Sequence, residues 1–141
     1  MATLAADNFR TFGCQSGNVD IDLPVVASDI IYGGAAVGEN GSGYFRPLVA
    51  VDPFAGFALL RADNSAGSAG DVNVHVRAKG IAILDVTGVT AVTDEGSTVY
   101  ASDDNTFTLT STSNTAIGKI IRYISGTTCE VYFESASLRS I

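Results

Sequence analysis

Val72, Val74, Val76 and Ala78 alternate strictly with Asn73, His75, Arg77 and Lys79, and this pattern constrains the fold more than any other in the chain. Side chains at a period of two stand on opposite faces of a strand, so the stretch has one dry face and one wet face. From Val19 onward the same grain continues as short apolar or alternating runs broken by Gly, Asn, Asp and Ser clusters. These runs predict strands near 25–26, 30–32, 35–37, 44–50, 56–61, 72–79, 81–86, 98–101, 106–110, 116–124 and 128–134. The 15 glycines, against no Trp and one His, supply tight turns rather than long helices. The polar cluster 102–105 predicts a hairpin turn, as do the glycines of 38–43, while 63–70 reads as a flexible surface connection. The expectation is an all-β fold: a small β-barrel or sandwich-like domain of many short strands.

Residues 1–18 break this pattern. They mix small side chains with the isolated large residues Leu4, Phe9 and Phe12, and read as an extended N-terminal arm before a single β-rich domain over 19–141. Phe9 and Phe12 alternatively share one face of a short helix. In either case the arm's apolar groups need a surface to bury against, on this subunit or a neighbour. The first residues lack the basic start and apolar stretch of a secretory signal, so synthesis in the cytoplasm without export is expected. No run approaches the roughly 18 apolar residues of a membrane span, so no membrane partner is expected.

Eight Lys and Arg against fifteen Asp and Glu give a formal charge of −7, a mean field that repels phosphate backbones. The basic residues are also scattered, and nucleic acid is not an expected partner. His75, the one imidazole, lies on the wet face of its strand, where a solvated or partner-facing role is the ordinary reading. Asp20 with Asp22, Asp94 with Glu95, and Asp103 with Asp104 fit no calcium loop and read as turn formers that accept from nearby amides. The glycines of 38–43 precede a strand with Pro47 rather than a helix, so they do not make a phosphate cradle. Cys14 and Cys129 have no companions at zinc-ligand spacing; a disulfide between them is one reading and two free thiols the other. No catalytic residue, cofactor or metal is expected.

Gly56-Phe-Ala58, then Ala69-Gly70-Asp71-Val-Asn-Val74-His-Val76 and Gly80, then Gly96-Ser-Thr-Val99-Tyr100, Ile117-Gly118-Lys-Ile120 and Val131 together resemble the tailed-phage capsid cement, or head decoration, proteins. The likeness covers about 24–133 and rests on the order and spacing of short words. It implies a non-enzymatic virion protein that binds the outside of an assembled bacteriophage head at junctions between major capsid protein subunits. It also implies a homotrimer that stabilises the shell against DNA pressure. In that setting Leu4, Phe9 and Phe12 are expected to contact the capsid or a neighbouring subunit. Tyr44, Phe45, Phe54 and Phe57 are candidates for trimer contacts, with the hydrophobic core as their alternative. The competing function is a β-rich phage tail or fibre module that binds a host glycan or receptor.

Overall fold

The computed structural model describes residues 3–12 and 17–139. The described residues form twelve strands and one 3-10 turn: β1 (Thr11–Phe12), β2 (Val19–Pro24), β3 (Asp29–Ile31), β4 (Ala36–Glu39), β5 (Phe45–Pro47), β6 (Phe54–Ala58), β7 (Ala62–Asn64), β8 (Asn73–Thr87), the 3-10 turn Val92–Asp94, β9 (Thr98–Ala101), β10 (Phe107–Thr108), β11 (Thr115–Ser125) and β12 (Thr128–Glu134). The all-β expectation holds, and the barrel is literal. β8, β12, β11, β9 and β10 pair in that order, and β10 returns to β8 through Phe107↔Val86 and Thr108↔Thr87, closing a five-stranded ring.

β8 builds this architecture. Its 15 residues extend about 50 Å, and every second side-chain position from Val74 to Val86 is buried. Its later half belongs to the barrel through β12, which pairs Thr128↔Asp85 to Glu134↔Lys79. Its earlier half pairs with β2, Asp20↔Arg77 to Pro24↔Asn73, and with β6 at Arg77 and Val76. β6, β4 and β5 continue from there, and Val25 bridges to Phe45, bringing the end of β2 round to β5. Each half wraps its own core. The barrel core holds Leu84, Val86, Val99, Ile117, Ile120, Val131 and Phe133, with Phe54 and Phe57 entering from β6. The second core holds Val25, Ile31, Val37, Val74 and Val76.

Several sequence expectations change, among them that of Asp20 and Asp22 as turn formers, since both lie within β2. The runs 72–79 and 81–86 are one strand, because alternation passes unbroken through Gly80. A Cβ at Gly80 would meet Asn18 Oδ1 at 2.7 Å, so a residue that reads as a breaker instead admits a neighbour. The strand near 25–26 is only a bridge at Val25, while the preceding 19–24 forms β2. The connection 63–70 starts inside β7 and is tied down by the buried Asn64, whose Nδ2 donates to Val26 O and Ser68 O, both at 2.9 Å. The 102–105 hairpin forms as expected, with Phe107↔Ala101 in register.

β8's wet face is matched in charge. Arg77 donates to both oxygens of Asp20, at 2.8 and 3.1 Å, and His75 Nδ1 lies 2.6 Å from Asp22 Oδ1. The Asp20 carboxyl is held below its ordinary range by that Arg77 contact. These pairs face water and contribute little stability each, but they fix the β2 register, since a one-residue slip would put Asp20 and Asp22 into the core.

Phe133 touches three other rings, with centroids 4.9 Å from Phe57 and 6.1 Å from both Phe54 and Phe12. Phe133→Ala is expected to lower unfolding free energy by about 3–5 kcal/mol, measured by denaturant titration. A loss under 1 kcal/mol would contradict the packing described.

Candidate functional site

Residues 3–12 lie against the body of the same chain. Asn8 N donates to Gly33 O at 2.7 Å, and Asp7 Oδ1 accepts from Gly33 N at 2.9 Å and from Arg61 Nε at 3.1 Å. Arg10 Nε donates to Gly34 O at 2.5 Å and its Nη2 to Asn105 Oδ1 at 2.9 Å, with the guanidinium 5.7 and 5.4 Å from the Phe57 and Phe107 ring centroids. Leu4 N reaches Asp104 Oδ1 at 3.2 Å. Residues 3–12 form no helix; Thr11 and Phe12 instead pair with Ile83 and Ala82 of β8.

Burial shifts both charges of this seat toward neutrality. The Arg10 guanidinium is lowered to about 10 by desolvation, opposed by Asp104 and Asp85. Asp104, 1% exposed, is raised to about 6 by desolvation; the Leu4 amide opposes that rise and the neighbouring Asp103 charge adds to it.

The candidate contact residues therefore separate. Leu4 packs against the second core and Phe12 against the barrel core. Phe9 is 60% exposed, its ring lying over Gly33. Among the trimer candidates, Tyr44 and Phe45 are half-buried, the latter on the second core. Phe54 and Phe57 are core residues with no surface to offer: β6 runs between β4 and β8, and all five of its residues are buried.

Sequence reasoning missed a second exposed apolar feature. The expected strand 44–50 stops at Pro47, and the chain turns so that Val49 and Val51 stand out at 50% and 71% exposure. Val51 has φ +71°, a left-handed conformation that is strained for a β-branched residue. Asp52 holds the turn. Its N–H donates to Val49 O at 2.9 Å, its carboxylate accepts from Val49 N, and Arg46 grips that carboxylate with two bonds of 3.0 and 2.8 Å. Nothing in the local sequence marks Arg46 and Asp52 as partners. Leu60, 62% exposed, sits in the β6–β7 turn beside Arg61, which ties that turn to the arm through Asp7.

The polar motifs are engaged within the fold. Asp94 accepts from Thr90 N and Ala91 N, Glu95 from Tyr123 N, and Asp103 from Asn105 N. In the 38–43 turn, Glu39 Oε2 accepts from Gly41 N and Gly43 N, both at 2.7 Å, so the amides that a phosphate would use already face a carboxylate. Among the described residues no cluster of His, Cys, Asp or Glu is placed to hold a metal ion, and no helix is long and apolar enough to cross a membrane. Cys129 is a free, buried thiol raised to about 11 by burial; Cys14 lies outside the described residues.

No family model and no curated protein matches the chain. Among solved structures it is similar to a chain of "The capsid of Myoviridae Phage XM1", with a TM-score of 0.57 and 18% identity over 95% of this chain and 92% of that one. The two share a fold.

Arg46→Ala leaves the Asp52 carboxylate buried with only a backbone partner, and should lower stability by about 1–3 kcal/mol in thermal or chemical unfolding. Cys129 should resist a maleimide in the native protein and react once the chain is unfolded, read by peptide mass mapping, because a buried thiol with a raised pKa supplies little thiolate.

Proposed function

We propose that the chain is a structural, non-enzymatic component of a tailed-phage virion. It binds the outside of the assembled head at junctions between major capsid subunits, as a homotrimer, and reinforces the shell against packaged DNA. The observation that carries this reading is the match in fold to a chain of a phage capsid over almost the whole length. The charge-matched wet face of β8 and the engaged carboxylates add support, since they leave contact area as the chain's main resource.

The contact residues of this proposal are Phe9 on the arm, Leu60 in the adjoining turn, and Val49 with Val51 on the strained turn. Each is a large apolar group held at the surface by hydrogen bonds behind it, so little ordering remains to be done on binding. Leu4 and Phe12 position the arm from beneath. Tyr44 and Phe45 remain the proposed trimer contacts. A three-fold assembly presents three copies of each patch to equivalent shell sites, and once one copy engages, the others bind at high effective concentration.

Light scattering should give a mass three times that of the chain. Co-sedimentation with expanded heads assembled without this chain should show saturable attachment, and the double variant Phe9→Ser, Val51→Ser should lower occupancy at least ten-fold with its unfolding midpoint held. A monomer that ignores such heads at all concentrations overturns the proposal.

A further inference from the structure

Two opposite charges, the buried Asp104 and the half-buried Arg10, meet at the arm without a hydrogen bond between them. Arg10 donates to Gly34 O and Asn105 Oδ1, and the Asp104 carboxyl accepts from the Leu4 amide, at 3.2 and 3.4 Å, and from its own backbone amide. Arg10, half-buried, lies on the arm itself, and Leu4 lies over the buried Asp104, so seating residues 3–12 brings the guanidinium and the Leu4 amide to that carboxyl. We propose that residues 3–12 form a proton-linked strap, closed on their own subunit when Asp104 is neutral and loosened when Asp104 is ionised.

The geometry names every charge involved. Asp104 is faced by Arg10 from the arm and by Asp103 from its own turn, and Arg10 is faced in addition by Asp85 of β8. Arg10 stays protonated well above neutrality and so is constant across the range that matters. Asp7 anchors the strap through Gly33 and Arg61, and those contacts hold its carboxyl below the ordinary range, so it too stays ionised near neutrality. Asp104 alone of the shifted groups at the strap titrates between pH 5 and 7.5.

The sign follows from its raised value. With the strap closed the carboxyl titrates at about 6; exposed by opening, it returns toward 3.8. Between those values the closed state holds a proton that the open state lacks, so closure is favoured at acid pH and this advantage disappears as pH rises through 6. The two values correspond to a roughly 10-fold weakening of closure between pH 5 and 7.5. The strap is a local device, and it operates whether or not the chain binds heads.

Amide hydrogen exchange followed by NMR tests this on the full chain. The Asn8 amide, bonded to Gly33 O, should lose about 10-fold in protection between pH 5 and 7.5 after correction for intrinsic rates, while Val131 in β12 keeps its protection. Asp104→Asn should abolish the change, and the Asp104 carboxyl carbon in the unaltered protein should titrate near 6. A flat Asn8 protection, an equal loss in Asp104→Asn, a parallel loss at Val131, or a carboxyl titration near 4 each overturns the proposal.

Discussion

The whole molecule depends on one strand being buried along one face for its full length while both of its edges are occupied. Val131 and Phe12 pair with the same β8 residue, Ala82, and Val19 and Glu134 pair with the same Lys79, so β8 has neighbours on both sides in the barrel and beyond it. The unbroken alternation supplies the apolar side of two cores from a single element. It also explains why small residues recur on that face. Ala78, Gly80 and Ala82 lie where β8 crosses from one core to the other, and the rings of Phe54, Phe57 and Phe133 fill the barrel core over this crossing.

That arrangement made part of the fold readable. The strands β9 and β12 are where alternation and turn residues place them, and so is the 102–105 hairpin, because local rules and tertiary packing agree there. Gly80 misleads because a glycine in a strand is usually read as a break, whereas here the missing side chain makes room for Asn18. β2 is legible in hindsight: Val19, Ile21 and Leu23 alternate with Asp20 and Asp22, and the two acids answer Arg77 and His75 across the ladder.

The candidate contact surface was less legible, for a physical reason. Apolar content says that a residue can be buried and does not say whether the chain has spare core to receive it. Phe54 and Phe57 find that space and Phe9 does not. Val49 reads as a strand residue; it and Val51 stand exposed because Arg46 and Asp52, six positions apart, close a turn that local sequence does not announce. Likewise Asp104 reads as a turn former, and nothing local shows that its carboxyl is buried and takes the amide of a residue a hundred positions away.

The registers also determine how the molecule answers tension. β1 and β2 enter beside the later half of β8, from Thr11↔Ile83, and run toward its start, while β12 ends beside Lys79. A pull on the two ends of the chain therefore drags β1 and β2 one way along β8 and β12 the other, sliding the flanking strands lengthwise. Their cross-strand bonds are strained in unison, as in a lap joint, instead of parting singly as in a zip.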